Sequence, residues 1–407
     1  MALRITGLGE EIASVTVLPW QIPLEDWPED PSLAEKRGIS RHIVRLVRAT
    51  DDIDSEIYAI KETVAEFANR EYKALRQLAH LGAPSVEPIA VIEGRVDDMG
   101  EVLPCAIATR FLPYSLPYRV LLAKEVTSHD IETMANALAY LLVQLHLLGF
   151  WWGDCSLSNT LFRRDADGFA AYLVDAETGE FQQSLSDGQR EHDLEIAHFN
   201  VAAELEDLAL SGLLKGNMDP IRSSEAVIKR YRRLWSALKN KQTFDHADRK
   251  AVERAMRELH DLGFAIEEVS VQVDEDTNKV MFQPKLVAAG YHSARLFEIM
   301  GIHAQELQAK RILASFDRYR GREKPKQPIH ASAKQWIETV FNPTLALVPA
   351  EYEGRVEPAQ LFHEILEHRW YLGEKAGHDV GLETAAELYV KEILPHRMDS
   401  GVIAKSN

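Results

Sequence analysis

The amino-acid sequence predicts an α+β chain of two lobes, an antiparallel-sheet N-lobe followed by a helical C-lobe, with a C-terminal α+β and helical appendage. Three observations carry this. Short β-like runs around one helix fill the first third, and long helical patterns dominate after it. A greasy helical stretch runs into WWGDCSLSNTLF, residues 151–162, where an aspartate and an asparagine five positions apart lie between a helix and an apolar strand. Two alternating segments between 266 and 286 then restart a β pattern before a last helical part. A chain of 407 residues is long enough for two or three domains. The expected divisions are an arm at 1–30, the sheet lobe at 31–112, the helical lobe at 113–245 and a C-terminal domain at 246–407.

Residues 1–30 are rich in Pro and Trp (LPWQIPLEDWPEDP) and read as an extended arm. HIVRLVR, residues 42–48, and IYAIK, residues 57–61, are β-like and flank the turn signal DDIDS. Residues 62–80 read as a helix, with Phe67, Leu75 and Leu78 apolar and GAP closing it. IAVIEG and CAIATRFL are further short apolar runs. The stretch MANALAYLLVQLHLLGFWW, residues 134–152, has the length of a membrane span, but Asn136, Gln144 and His146 interrupt it. Ile131, Met134, Leu138, Leu141, Leu145 and Leu148 recur there at helical spacing, so a buried helix is expected and no membrane span.

Composition narrows the class of function. Apolar residues make up 46% and charged residues 27%, enough for a sizeable core. Acidic residues outnumber basic ones 63 to 46, a net charge of -17, which disfavours nucleic acid and anionic membranes as partners. Two cysteines, Cys105 and Cys155, give neither a disulfide framework nor a zinc spacing, and the start MALRITGLGEE lacks the regions of a signal peptide. A cytoplasmic location is the expectation.

Four further landmarks accompany Asp154. Asn159 completes D-x-x-x-x-N. Asp175 ends the apolar run AYLVDAET sixteen residues beyond Asn159. YAIK ends at Lys61, and EYKALRQLAH, residues 71–80, places Glu71, Leu75, Leu78 and His80 in helical register. In this order the set resembles the protein-kinase-like superfamily, nearer to its lipopolysaccharide-kinase branch than to the eukaryotic protein kinases, over roughly residues 36–240. The chain also resembles a family of uncharacterised actinobacterial proteins with a kinase-like front half and a back half of unknown function. The resemblance implies a two-lobed kinase-like fold, with ATP and Mg2+ as cofactors and a nucleotide and a hydroxyl acceptor as partners.

It also implies roles. Phosphoryl transfer is mostly positioning and charge neutralisation. Lys61 would meet the phosphates and Glu71 would anchor it, with Glu66 as the rival anchor. Asp175 and Asn159 would hold the metal through hard oxygen atoms. Asp154 would orient or accept the proton of the attacking hydroxyl. Glu177 reads either as a third ligand or as a surface acid. Cys155 reads as a small packed residue rather than a nucleophile. Asp193, in GQREHDLEIAHFNVAAELE, is a candidate brace beneath the catalytic loop, or an ordinary acid near a helix N-terminus.

The departures shape the choice of substrate. Where a glycine-rich loop belongs, the chain offers RGISRH, residues 37–42, so Gly38, Ser40 and Arg41 are the candidates for cradling phosphate. Ser156 stands where protein kinases acting on Ser or Thr carry a lysine, and no A-P-E element follows Asp175. These features favour a small-molecule or glycan hydroxyl as acceptor. Two alternatives stand beside it: a pseudokinase that binds nucleotide and serves as a regulatory module, and a Ser/Thr protein kinase.

In the back half, IKRYRRLWSALKNK, residues 228–241, is a basic helix whose apolar positions are Tyr231, Leu234 and Leu238. It reads as a solvated face or as a dock for an anionic partner. IEEVSVQVD and KVMFQPKL alternate as strands around EDTN. HEILEH, residues 363–368, fails as a zinc motif, because His363 and His368 are five apart, roughly 140° around a helix. HRWYLGEKAGHDVG, residues 368–381, reads as a packed helix, a Gly turn and a new helix from Leu382. The C-terminal domain would select the acceptor or a protein partner.

Overall fold

The computed structural model describes residues 2–7, 12–28, 42–48, 56–122, 128–166, 168–213, 219–239, 242–245, 269–274, 279–284, 291–323 and 327–396. The N-lobe is built on a five-stranded antiparallel sheet of β1 (Arg4–Gly7), β2 (Val44–Arg48), β3 (Ile57–Thr63), β4 (Pro88–Glu93) and β5 (Cys105–Arg110), in the order β1-β4-β5-β3-β2. Its register sets Lys61 opposite Val44 on one side and Ile107 on the other. Strand alternation then sends Tyr58 and Ile60 to one face and Lys61 to the other.

The two faces are covered differently. Helix α1 (Ile12–Thr16) and the chain up to residue 28 bring Val15, Trp20, Leu24 and Trp27 against Tyr58, Ile60, Ala90 and Ile92. Helix α2 (Ala65–His80) packs the other face, its Ala68, Leu75 and Leu78 in one core with Val91 and Ile107. The expected extended arm is therefore a correction: residues 4–7 add an edge strand and two buried tryptophans complete a core. The sheet is apolar on both faces, and this segment removes the outer one from water. Arg95 fastens it. The guanidinium is 1% exposed, lies 2.6 Å from Glu62 Oε1, and donates to the carbonyls of Trp20 (3.1 Å), Ile22 (2.8 Å) and Pro104 (3.0 Å).

The C-lobe begins with β6 (Ser115–Pro117), α3 (Tyr118–Leu122) and the long α4 (Ser128–Leu147). Leu138, Leu141, Leu142 and Leu145 of α4 are buried, so its greasy face is a domain core. Among the described residues no helix is long and apolar enough to cross a membrane. Short strands β7 (Phe150–Trp151) and β10 (Glu180–Phe181) pair, and β8 (Thr160–Asp165) and β9 (Gly168–Leu173) form a hairpin beside β6. Helix α5 (Asp187–Leu210) starts at a capping box of Ser186 and Gln189, which satisfies orphan backbone donors. Helix α6 (Pro220–Lys239) buries Tyr231, Leu234 and Leu238 in the same core, as its pattern predicted for the apolar positions.

The appendage opens with a sheet of β11 (Gln242–Asp245), β12 (Val269–Asp274) and β13 (Lys279–Pro284), order β11-β13-β12; β11 was not foreseen. Helices follow: α7 (Tyr291–Met300), α8 (Glu306–Glu323), α9 (Ile329–Trp336), one π-helical turn (Ile337–Phe341), α10 (Asn342–Leu345), α11 (Pro358–Ala376) and α12 (Leu382–Glu392). Phe316, Trp336, Phe341 and Phe362 form their aromatic core. HEILEH lies on α11 with His363 buried, and no metal-competent cluster occurs there among the described residues.

The appendage docks on the β8–β9 hairpin. Asp165 accepts from the backbone N–H groups of Leu307 (3.0 Å) and Gln308 (3.0 Å) in the first turn of α8. Gln360 of α11 brackets Ala166, taking its N–H at 3.1 Å and donating to its carbonyl at 2.9 Å. Arg163 pairs with Glu357 at 3.0 Å.

Candidate active site

The structure brings Lys61, Glu71 and Asp175 together. Lys61 Nζ lies 2.6 Å from Glu71 Oε2, 2.9 Å from Asp175 Oδ2 and 3.6 Å from Glu177 Oε2. Strand β3 supplies the lysine on its inward face. Helix α2 supplies Glu71 from its buried stripe of Ala68, Leu75 and Leu78, which leaves the carboxylate only 2% exposed. Glu66 points elsewhere, pairing with Arg70 at 3.3 Å. Asp175 and Glu177 follow β9, where Asp175 Oδ1 accepts the N–H of Glu177 at 3.0 Å.

Glu177 is buried and belongs to this cluster. Of the two sequence readings, the surface acid does not match its place in the structure. Its Oε2 also lies 3.4 Å from His42 Nε2. Carboxylate oxygens of Glu71, Asp175 and Glu177 all fall within 4.8 Å of one another.

The charge balance of this cluster is telling. Burial works against the Lys61 ammonium, but Glu71 and Asp175 more than offset it and hold its pKa above the ordinary lysine value. Burial pushes the Glu71 carboxyl up to about 8; Lys61 pulls it down, while Asp175 and Glu177 push it further up. One ammonium thus faces three carboxylates. This surplus of negative charge adds to the effect of burial on Glu71, and a second cation would offset it.

The D-x-x-x-x-N segment is built separately and then tied to this cluster. Asn159 Nδ2 donates to Asp154 Oδ2 (3.0 Å) and to the Asp154 carbonyl (3.0 Å). Both contacts use the amide nitrogen and leave the amide oxygen out of them. Val174 N–H donates to the Asn159 carbonyl at 3.0 Å, and Trp152 Nε1 donates to the Asp175 carbonyl at 2.9 Å. Gly153 takes φ +73°, and a Cβ there would meet the Trp151 ring at 2.9 Å, so glycine is the least strained residue before Asp154. Ser156 is buried and its Oγ accepts the Asn159 N–H at 3.1 Å, so the position of the protein-kinase lysine is used to close the loop.

Helix α5 holds the loop from below. Asp193, fully buried, accepts the N–H groups of Trp152 (2.9 Å) and Gly153 (2.8 Å) and contacts His146 Nε2 at 3.0 Å. His146 Nδ1 in turn lies 2.7 Å from the Tyr231 hydroxyl. Two more residues of α5 escaped the sequence reading. Asn200 donates to Asp154 Oδ1 (3.2 Å) and to the Cys155 carbonyl (3.2 Å). Glu204 accepts the N–H groups of Leu157 (2.7 Å) and Ser158 (3.0 Å) and bonds the Ser158 hydroxyl. Asp193, Asn200 and Glu204 are spaced seven and four apart, one helix face, and that spacing was the available signal. Gly38, Ser40 and Arg41, the expected phosphate cradle, lie outside the described residues.

A five-stranded antiparallel lobe, a lysine–glutamate pair spanning strand and helix, and a D-x-x-x-x-N loop tied to a following aspartate define a kinase-like α+β protein. Residues 40–210 match the family described as Lipopolysaccharide kinase (Kdo/WaaP) family, and residues 233–394 match Domain of unknown function (DUF4032). The chain therefore joins a lipopolysaccharide-kinase-like front segment to a back domain of unknown function. Among solved structures it is similar to one described as "WaaP in complex with acyl carrier protein", at 15% identity and a TM-score of 0.37, covering 64% of this chain and 99% of that one. No curated protein matches the chain.

Proposed function

We propose that this chain is an ATP- and Mg2+-dependent phosphotransferase acting on a small-molecule or glycan hydroxyl. The observation that carries the reading is the buried Lys61–Glu71–Asp175 constellation, with ion-pair distances of 2.6 and 2.9 Å, in a segment that matches a lipopolysaccharide kinase family. The nucleotide would supply the phosphoryl group and the metal would neutralise its charge. Asp175 and the amide oxygen of Asn159 would hold the ion, and the surplus carboxylate of Glu177 fits the same oxygen-rich donor set. Lys61, anchored by Glu71, would bind the phosphates. Asp154, oriented by Asn159 and Asn200, would receive the proton of the acceptor hydroxyl. Ser156 supplies no cation beside it, which favours a non-protein acceptor over a Ser/Thr protein side chain.

The test is phosphate transfer from ATP to a panel of sugar and small-alcohol acceptors, compared between wild type and Asp154→Ala. A loss on the order of 10²–10⁴ in turnover is expected. Unchanged transfer in the variant would refute the assignment. The second reading, a nucleotide-binding pseudokinase, draws on the single glycine of RGISRH. Saturable ATP binding without turnover on any acceptor would favour it.

A further inference from the structure

The back domain contains a cavity of about 1280 Å³, lined entirely by residues between 311 and 383 and so separate from the site above. This is roomier than the roughly 300–1,000 Å³ usual for small-ligand pockets, so it accepts a nucleotide-sized molecule. It is open to solvent on one side, and three parts of its lining have distinct chemistry.

The first wall is α8. Arg311, Ser315 and Arg318 recur at i, i+4 and i+7, which puts two guanidinium groups and a hydroxyl between them on one helix face. Arg318 makes no ion pair among the described residues; its Nε donates to the Ala314 carbonyl at 3.3 Å. Arg311 has a carboxylate only at 3.9 Å, that of Glu367. The second wall is α11, where Trp370 is 61% exposed and lines the cavity, while its neighbour Tyr371, 58% exposed, does not line it. Beside it Arg369 makes a two-pronged pair with Asp379, whose Oδ1 also takes the N–H of Gly381 at 3.1 Å. That pair ties the Gly-containing turn to α11. The third wall includes Thr339 and Val340 of the π-helical turn. Such turns weaken helix packing and recur at binding sites.

Of the three guanidinium groups at the walls, Arg369 is paired with Asp379 and Arg311 has Glu367 at 3.9 Å, so Arg318 is the one that makes no ion pair among the described residues. In a chain of net charge -17, a guanidinium that makes no ion pair in a cavity favours an anion there. Planar guanidinium forks match phosphoryl and carboxylate oxygens. The exposed indole offers a flat apolar surface for a ring.

We infer that this cavity is a binding site for a nucleotide-sized anion that pairs a phosphoryl group with a flat ring. The phosphoryl group lies along Arg311, Ser315 and Arg318, and the ring against Trp370. The inference stands independently of the proposed phosphotransferase activity.

Calorimetric titration of the full chain with 1-naphthyl phosphate, and separately with inorganic phosphate, tests it. Wild type is expected to take up 1-naphthyl phosphate saturably. Arg311→Gln combined with Arg318→Gln should weaken both probes by about tenfold or more, since two charge-assisted contacts are lost. Trp370→Ala should weaken 1-naphthyl phosphate and leave inorganic phosphate unaffected. Lys61→Met, in the front segment, should change neither. Wild-type binding that is absent, that survives the double arginine change, or that disappears in Lys61→Met would overturn the inference.

Discussion

Asn200 Nδ2 on helix α5 lies 3.2 Å from Asp154 Oδ1, while Asn159 Nδ2 lies 3.0 Å from the other carboxylate oxygen. The two amides grip Asp154 from opposite sides, one from within its own loop and one from the helix beneath. Asn200 touches no reacting atom in the proposed reaction and acts by positioning. Asn200→Ala should lower kcat by roughly 10–100-fold with little change in KM, the scale expected when a catalytic group loses its alignment. Asn200→Asp places like charge beside Asp154 and should lower kcat further. Steady-state kinetics on both variants checks this, and equal kcat values across wild type and variants would remove Asn200 from the mechanism.

Glu71 has a second prediction. It anchors Lys61 at 2.6 Å and is buried, so Glu71→Gln keeps the shape but removes the charge-assisted contact. Nucleotide affinity should fall by roughly 10–100-fold, the equivalent of about 1.5–3 kcal/mol for such a bond. Glu66→Gln, which removes only an exposed pair with Arg70, should bind like wild type. The two measured side by side separate an anchor from a surface acid.

A buried ion pair reinforces the packing of the N-terminal segment. Arg95→Ala leaves Glu62 buried without its partner and frees three backbone carbonyls. A loss of about 3–5 kcal/mol is expected, as for other broken buried pairs. Urea unfolding followed through intrinsic tryptophan fluorescence, to which Trp20 and Trp27 contribute, should show the transition moving to lower urea. A midpoint unchanged from wild type would contradict this role.

Asp165 makes the docking of the appendage pH-dependent. Burial pushes its carboxyl up to about 7, although the N–H groups of Leu307 and Gln308 pull it down, from an ordinary value of 3.8. The native state therefore holds a proton that the unfolded chain has lost across the interval from about 4 to 7. Stability from this group is greatest below that interval and declines as pH rises through it. Asp165→Asn cannot ionise. Its melting temperature relative to wild type should improve between pH 5 and pH 8, and a difference that stays constant with pH would exclude the effect.

Much of this architecture was readable in the residues. Lys61, Glu71 and Asp175 announce themselves because each lies at a fixed phase of a strand, a helix or a strand end. Periodicity likewise placed α4. The N-terminal segment was not readable. Trp20 and Trp27 among prolines look like a loop until the far face of the sheet needs a cover. Asn200 and Glu204 were missed because their partners lie more than forty positions upstream, at the backbone of a loop. The docking of Asp165 and Gln360 spans still longer separations, and an acid or an amide in a hairpin carries no local mark of such a contact.

The central claim is that Lys61, Asn159 and Asp175 serve one nucleotide and one divalent ion. A thermal-shift titration with ATP, with and without magnesium, on wild type and Asp175→Asn tests it most directly. Ligand at about 100 times its dissociation constant should stabilise the native state by roughly 2.7 kcal/mol, read as a rise in melting temperature. The account predicts a magnesium-dependent rise in wild type that Asp175→Asn removes. No rise in wild type, or the same rise in the variant, would contradict it.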